Sequence, residues 1–442
     1  MRRPARPTPA SLTLATLCAA FACSSTQPSA DTNPNPITEA TPIVATPPAD
    51  APRPVWPLQP DATWPRRCLI ENAAMHPSEP WLAVACMDAE AEMGAVLVFD
   101  AQTGSLRSST PIEGYVGWSD SGLLKWHPDG LRLATNVHTN GIALLDRASV
   151  VGVAFPDDTR DSGVGYVWIG DQMFTDTGAL FEIVQDDWRF EFDMLAIPEL
   201  QAIEWNAAGK FVVGRVGTGV AAYDPIAERV VYQETLAAHG EATPSCSPDG
   251  RWFVRRQFAV HPASDELLFV RGDTGRVHGL RKPSSPRIDQ LAWSAKGDLA
   301  VASHVHNIGA EPSKRRLDVF TEGELQSSID LGPRAIQGSH SIADASGIAW
   351  SPESDGLAVL LDQQQVRLFD AQTGKTLLTF AAPAPPIPAG LPDSYTKGWR
   401  PEFGFPGDLM WVHQQRLIRI APHFVGIWSL DGQRIAQFVV PQ

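Results

Sequence analysis

The sequence has 442 residues, of which 43% are hydrophobic and 19% charged, and its formal net charge is −15. This length exceeds what one ordinary hydrophobic core organises, so a repeat architecture is expected. The acidic balance argues against nucleic acid or an anionic lipid surface as partner, because both require a clustered basic footprint.

The N-terminus has the order of an export signal. Three arginines among the first six residues precede an uncharged stretch at residues 12–22. That stretch is too short to span a bilayer as a mature helix. The small-bulky-small sequence at residues 20–22, directly before Cys23, fits either an ordinary secretory cleavage site or a lipobox. We favour a signal peptide over residues 1–22 and lipidation of Cys23.

A tether is predicted over residues 23–60. Its composition is rich in Pro, Ala and Thr, resembles the tethers of bacterial lipoproteins, and offers few large apolar side chains to offset the entropy of ordering. We therefore expect a disordered tether and a folded body over residues 61–442. The expected location is the cell envelope, with the membrane contacted only through the lipid anchor; a secreted soluble form is the alternative.

Two short elements recur in the body. The hexapeptide Phe-Asp-Ala-Gln-Thr-Gly occurs at residues 99–104 and again at 369–374. The second element is an aromatic or apolar residue, a tight polar turn and a short apolar run. Its clear copies start at Trp126, Cys246, Trp293 and Trp350. Glycine in such turns is typical of hairpins, because it tolerates positive φ.

Each repeat unit predicts four short strands, which together form one blade of a β-propeller. The aromatic or apolar residues that begin the units, here called the anchors, recur at blade-sized spacing of roughly 40 to 60 residues. The all-β fold is thus a propeller of four-stranded antiparallel blades. Eight blades are favoured; the irregular segment 173–192 leaves seven as the alternative. The anchors are Met75, Trp126, Trp168, Trp205, Cys246, Trp293, Trp350 and Trp411.

These turns resemble the WD40-like and YVTN-type propeller repeats of bacterial envelope proteins, and the resemblance covers about residues 66–442. The sequence lacks the closing Trp-Asp and Gly-His pairs of eukaryotic-type WD40 repeats. The resemblance implies an architecture and leaves the function open, since propellers host binding, scaffolding and several chemistries.

Two predictions concern how the propeller is closed and cross-linked. The ring should close by side-to-side packing of the first and last blades, with no N-terminal strand completing the last blade. Cys68 and Cys86 lie nearly symmetrically about a turn, so a cross-strand disulfide is possible, two buried thiols being the alternative. Cys246 takes the place of a repeat Trp and should be buried and unpaired.

The sequence has no motif of a hydrolase elbow, a phosphate loop or a zinc protease, and no cofactor is expected. Alternating strand geometry would point His304 and His306 to the same side of a strand end, but no acidic or cysteine partner has matching spacing. Hydrogen-bonded or solvated histidines are favoured, so no metal site is predicted.

Loop length predicts where the chain binds a partner. Turns between the first two strands and between the last two strands of a unit are short. The other connections, between the middle strands and from one blade to the next, emerge on the opposite side. These connections are long, above all residues 382–408. We call that side the long-loop face. Its candidate binding residues are Trp118, His304, His306, His340, Tyr395, Trp399, Phe403 and Phe405.

Two functions of different class follow. The favoured one is a monomeric, envelope-anchored lipoprotein that binds an unidentified protein partner, or acts as a scaffold, through the long-loop face. The alternative is a propeller enzyme, such as a lyase, lactonase or quinone-dependent oxidoreductase, with its site at the central channel. A convergent set of His, Asp, Glu or Arg from several blades would distinguish the enzyme.

Overall fold

The structure is a computed structural model. It describes residues 56–59, 61–88, 93–113, 124–137, 141–147, 149–154, 166–169, 172–175, 180–184, 187–191, 200–206, 211–216, 219–224, 227, 229–234, 242–257, 264–305, 314–333, 345–361, 364–383, 409–412, 416–421, 423–439 and 441. The predicted signal peptide, Cys23 and most of the tether lie outside these residues. No helix within them is long and apolar enough to cross a membrane.

The first four sheets contain strands β1 to β16 in chain order. Their bounds are β1 Leu69–Met75, β2 Trp81–Asp88, β3 Met93–Asp100, β4 Ser105–Glu113, β5 Leu124–Trp126, β6 Arg132–Val137, β7 Gly141–Asp146, β8 Ser149–Ala154, β9 Tyr166–Ile169, β10 Gln172–Thr175, β11 Leu180–Val184, β12 Asp187–Glu191, β13 Leu200–Asn206, β14 Phe211–Val216, β15 Gly219–Asp224 and β16 Arg229–Glu234.

The other four sheets contain strands β17 to β32. Their bounds are β17 Ala242–Cys246, β18 Trp252–Gln257, β19 Glu266–Arg271, β20 Val277–Arg281, β21 Arg287–Trp293, β22 Leu299–His304, β23 Lys314–Thr321, β24 Glu324–Pro333, β25 Ala345–Trp350, β26 Gly356–Leu361, β27 Gln365–Asp370, β28 Thr376–Ala381, β29 Leu409–Val412, β30 Arg416–Ala421, β31 Phe424–Ser429 and β32 Arg434–Val439.

The sheets are arranged as propeller blades. Each is antiparallel, with its four strands side by side in chain order. First strands of neighbouring sheets contact each other, as β1 with β5, β13 with β17 and β25 with β29. The first strands therefore form the inner ring and the fourth strands the outer edges. The all-β propeller class predicted from the sequence is confirmed, and we number the sheets in chain order as blades 1 to 8.

Blade 3 differs from the others. Its strands β9 to β12 are built from residues 166–191, which include most of the irregular segment that left the blade number open. These strands have only four or five residues each, and the turn repeats of the other seven units are absent from this stretch of sequence. Their antiparallel pairing nevertheless gives a separate four-stranded sheet.

The recurring sequence elements form the predicted tight turns. Asp100 Oδ1 accepts hydrogen bonds from the backbone N–H groups of Gln102 and Thr103, both at 2.9 Å. Asp370 Oδ1 accepts in the same way from Thr373 N–H at 2.7 Å. An Asp side chain that bonds to the backbone two or three residues later stabilises a turn locally. The repeated Asp is therefore a turn-forming residue, and both copies of the hexapeptide use it alike.

A hydrogen bond from the anchor links a blade to the one before it. Trp126 Nε1 donates to the carbonyl of Ala74 at 3.1 Å, and Trp350 Nε1 donates to the carbonyl of Ala292 at 2.9 Å. In both cases the acceptor is the residue directly before the anchor of the preceding blade. The repeat Trp thus fills the space between two blades and satisfies its own polar group there.

We call the contact surface between two adjacent blades a seam. At the seams between blades 5 and 6 and between blades 4 and 5, the hydrogen-bond acceptors are side chains. Trp293 Nε1 donates to Ser245 Oγ at 3.0 Å. Cys246, the anchor without an indole, is buried and unpaired as predicted. Its backbone N–H donates instead to Glu204 Oε2 at 2.9 Å, and Glu204 directly precedes the anchor of blade 4. A side chain from blade 4 thus supplies the seam bond that the missing indole cannot make.

The ring closes through a contact that other seams also use. Gly104, in the last turn of blade 1, has φ +70°, and a Cβ there would overlap the Cβ of Ala436 in blade 8. Gly374 of blade 7 approaches Ile329 of blade 6 in the same way. Apolar side chains of blades 1 and 8 form one buried cluster. The four strands of the last sheet all come from residues 409–439, so the predicted mode of closure is confirmed.

The propeller starts earlier than the predicted boundary at residue 61. Trp56 is fully buried among apolar residues of blades 1 and 2, and Trp64 lies in the cluster between blades 1 and 8. The prediction of disorder up to residue 60 is therefore wrong for residues 56–59. It failed because a single Trp in a Pro-rich stretch can be buried when the body has a gap that fits it.

Cys68 and Cys86 form the disulfide that was predicted as possible, with their Cα atoms 5.2 Å apart. Cys86 lies on β2 opposite Ile70, and Cys68 directly precedes β1. The bond therefore joins the two inner strands of blade 1 at the end from which the long loops emerge.

We predict that Gly104→Ala is more destabilising than Gly332→Ala. Both glycines have positive φ, so both variants incur backbone strain. Among the described residues, however, no atom beyond the chain neighbours lies within 4 Å of a Cβ at Gly332. Overlap with Ala436 should lower the free energy of unfolding of Gly104→Ala by about 1 kcal/mol or more beyond the effect of strain. Urea unfolding of both variants measures the difference, and Ala436→Gly should remove it. Equal losses would show that this contact does not determine ring closure.

Candidate functional site

The long-loop face is uneven. The connections between second and third strands are long in blades 5 and 6, at residues 258–265 and 305–313. In blades 2, 4, 7 and 8 they are only two or three residues, so the prediction that all such connections are long is wrong. Those blades turn with short hairpins, as β14 and β15 do across residues 217–218. The longest connection between blades is residues 382–408, followed by residues 155–165 and 334–344 at equal length. The longest connection of each kind, residues 305–313 and residues 382–408, therefore belongs to blades 5 to 8.

A buried charge cluster lies at the base of the loops of blades 5 and 6. Asp265 is 1% exposed, and its carboxylate is 3.6 Å from Arg256 Nη2 and 3.2 Å from Arg287 Nη1. It also accepts the backbone N–H of Ile288 at 2.9 Å. Arg256 donates to the carbonyl of Ile288, and its burial lowers the pKa of this guanidinium. Because Asp265 lies between two arginines from different blades, it clamps the two blades together where their loops begin.

His304 belongs to the same cluster. Its Nδ1 lies 2.8 Å from Asp289 Oδ1, and the Asp289 side chain is 10% exposed. The second oxygen, Asp289 Oδ2, is buried and has no hydrogen-bond partner in the described part of the chain. The prediction of a hydrogen-bonded histidine holds for His304. The carboxylate fixes the ring at the point where loop 305–313 leaves the blade.

Buried arginines also hold the ends of the longest loops. Arg315 is 2% exposed and donates to the carbonyl of Pro333, the last residue before loop 334–344, at 3.0 Å. Gln290 Oε1 accepts the backbone N–H of Gly347 just beyond that loop, at 3.0 Å. Arg419 is 1% exposed and donates to the carbonyl of Ala382, where loop 382–408 begins. The loops therefore start from a rigid, hydrogen-bonded rim.

The predicted binding residues fall mostly outside the described part of the chain. His304 is the one candidate that the structure describes. The remaining candidates, which lie outside the described residues, are Trp118, His306, His340, Tyr395, Trp399, Phe403 and Phe405. Among the described residues, no group of three or more His, Cys, Asp or Glu side chains could hold a metal ion.

Charged residues on the innermost strands were missed by the sequence analysis. Lys125 and Glu204 each directly precede an anchor, a position that is Ala in blades 1, 6 and 7. Burial lowers the pKa of Lys125 to about 8 and raises that of Glu204, and the opposite charges of the two groups partly offset both effects. Burial also raises the pKa of Glu71, on β1, to about 7. Aligning the repeats on their anchors would have exposed the first two as departures from Ala.

These inner groups are candidates for binding or chemistry at the propeller axis, since shifted pKa values concentrate at functional sites. Structural ion pairs shift pKa values too, and Glu204 already has a structural partner in the Cys246 N–H. Lys125 and Glu204 come from blades 2 and 4 and interact electrostatically. They form a pair of opposite charge on the inner ring.

No family model and no curated protein matches this chain. Among similar solved structures, the computationally designed Ika8 protein has a TM-score of 0.50 at 11% identity, covering 84% of this chain and 96% of that one. A structure titled as the eukaryotic initiation factor has a TM-score of 0.49 at 15% identity, with coverage of 87% and 90%. The β-propeller domain of Cps50 (Swd1) from Myceliophteria thermophila has 0.45 at 13%, with coverage of 83% and 99%.

These likenesses concern the fold alone. The sheet order, with which the likeness to the designed Ika8 protein agrees, defines the class of the molecule as a β-propeller. Identities of 11–15% carry no function from those proteins to this chain.

We predict that Glu71→Gln removes a pH dependence of stability. The Glu71 carboxyl has a pKa of about 7 in the native state, against 4.5 unperturbed. Between these pH values the native state therefore binds more protons than the unfolded state. Stability should therefore fall as pH rises through that window, by about 3 kcal/mol in total. Urea unfolding at pH 5 and pH 8 measures this change in wild type and variant. The exposed Glu353→Gln variant should keep the wild-type slope; an unchanged slope in Glu71→Gln would contradict the assignment.

Proposed function

We propose that this chain is an envelope-anchored propeller lipoprotein that binds a protein partner through the long-loop face of blades 5 to 8. The observation that carries the proposal is the combination of long loops with a rigid base. Arg256, Arg315 and Arg419 are buried or nearly so, and each donates to a backbone carbonyl beside a strand end on this face. Loops held on a rigid scaffold are the usual construction of a binding surface.

Composition supports a protein ligand. Loop 382–408 carries Tyr395, Trp399, Phe403 and Phe405, and aromatic residues dominate the energetics of protein interfaces. The net charge of −15 disfavours nucleic acid. On this view the partner is a protein, and the propeller itself is a monomer.

The second candidate function, a propeller enzyme, is favoured by the charged inner residues Glu71, Lys125 and Glu204, which come from three blades. A stoichiometric metal or a chromophore in the purified protein would favour it over the scaffold.

We predict that replacing residues 395–405 with a Gly/Ser linker abolishes capture of the partner from envelope extract. The aromatic side chains would be lost while the clamped start of the loop at Ala382 remains. Circular dichroism and thermal unfolding should show an intact propeller. The matched control is Arg251→Ala with Glu322→Ala, an exposed ion pair on the short-turn face, which should capture the same protein as wild type. Unchanged capture by the loop variant would remove this loop from the binding site.

We predict that Cys23→Ala abolishes lipidation. Growth with a labelled fatty acid should label the wild-type chain and leave the variant unlabelled, and the variant should move from the membrane fraction to the soluble fraction. Cys246→Ala is the control, because it alters a buried thiol of the propeller and should leave labelling unchanged. A wild-type chain without label would favour the secreted soluble form.

A further inference from the structure

The outer strand of blade 1 lacks an aromatic residue that blades 7 and 8 have. In blade 7, Phe380 pairs with Val366, and in blade 8, Phe438 pairs with Val425. Both rings pack against the next blade around the ring. The strand pairing of blade 1 places Thr110, opposite Val96, at the equivalent position. Beside the smaller Thr110 side chain there is a cleft between β4 and blade 2, which a side chain from outside these two blades occupies.

Trp56 fills this cleft. Its side chain is fully buried, in one apolar cluster with Val96, Ile112 and residues of blade 2. The indole meets the ring of Trp126 edge-on, with centroids 5.0 Å apart. Its Nε1 donates to Ser108 Oγ at 2.8 Å, and Ser108 is itself fully buried. The cleft thus has an apolar wall and one polar group that fits an indole N–H.

The backbone around Trp56 follows the edge of β4. Gln59 N–H donates to the carbonyl of Arg107 at 2.7 Å, and Gln59 Oε1 accepts the N–H of Ser109 at 2.9 Å. Arg107 Nη2 donates to the carbonyl of Trp56 at 3.1 Å. An extended peptide that adds hydrogen bonds along an outer strand and places one side chain in a pocket is a recognised mode of peptide binding.

We propose that the cleft between β4 and blade 2 is a peptide-binding site for an extended segment with a central tryptophan, which the chain fills with its own residues 56–59. The contacts of this segment with β4 span about fifty residues of sequence, so they do not depend on chain continuity. A separate peptide of the same sequence, including that of a second copy of the chain, can form them. This inference is independent of the proposed partner-binding function.

The experiment uses the full-length Trp56→Ala variant, which leaves the cleft empty, and a fluorescent peptide of residues 53–60. Fluorescence anisotropy should show saturable 1:1 binding to this variant and at least tenfold weaker binding to wild type, whose cleft is occupied. The same peptide with Ala in place of its Trp should not bind. Leu58→Ala is the matched control: Leu58 is 61% exposed, and the variant should behave as wild type.

A second variant separates loss of the site from loss of folding. Trp56→Ala combined with Thr110→Phe places an aromatic ring on β4 as in blades 7 and 8, and it should recover most of the melting temperature that Trp56→Ala loses while binding no peptide. In wild type, hydroxyl-radical footprinting should modify Leu58 and protect Trp56. Equal peptide binding by wild type and Trp56→Ala, no binding by a folded Trp56→Ala, or strong modification of Trp56 in wild type would each overturn the proposal.

Discussion

Every blade depends on its seams with its neighbours, and a hydrogen bond donated by the anchor indole recurs at several of them. A four-stranded sheet in a propeller has two apolar faces, which it buries only between adjacent sheets. Trp126 and Trp350 place their rings in that space, and each donates to the inner strand of the preceding blade. Because the donor and the acceptor occupy fixed repeat positions, each blade positions the next one around the ring.

The seam between blades 8 and 1 shows what replaces this bond. The anchor of blade 1 is Met75, whose thioether cannot donate. There Trp64 packs between the blades and donates to the carbonyl of Cys68, and Phe99 meets Phe438 with centroids 4.6 Å apart. The segment before β1 thus contributes Trp64 to one side of blade 1 and Trp56 to the other. It belongs to the propeller core, although its composition is that of a linker.

Local sequence determined which features could be predicted. The turns at Asp100 and Asp370, the anchors and the Cys68–Cys86 pair each follow from residues close in the chain, and all are found in the structure. The place of Trp56 depends on contacts with Ser108 and Trp126, which are distant from it in the chain. Asp265 likewise meets Arg256 and Arg287 through a seam between blades, which no local pattern reveals.

Where Cys246 replaces a Trp, the hydrogen bond across the seam uses a buried carboxylate, that of Glu204. An isolated buried carboxylate is expensive, and the pKa of Glu204 is raised accordingly. The Cys246 N–H bonds to it, and the positive charge of Lys125 opposes the shift. Loss of an indole in one blade is thus accompanied by charged side chains in two others. Substituting Lys125 or Glu204 alone would leave the other charge with less compensation.

The position of the N-terminal segment bears on where a partner can bind. Trp56 and Gln59 hold this segment at the outer edge of blade 1. The longest loop, residues 382–408, joins blades 7 and 8. The clamping residues Asp265 and Arg315 belong to blades 5 and 6, at the strand ends opposite the short turns. The contacts of residues 56–59 are with β4 and the seam to blade 2, so they leave the loop bases of blades 5 and 6 uncovered. The packing of residues 56–59 against blade 1 is therefore compatible with a binding surface on the long-loop face.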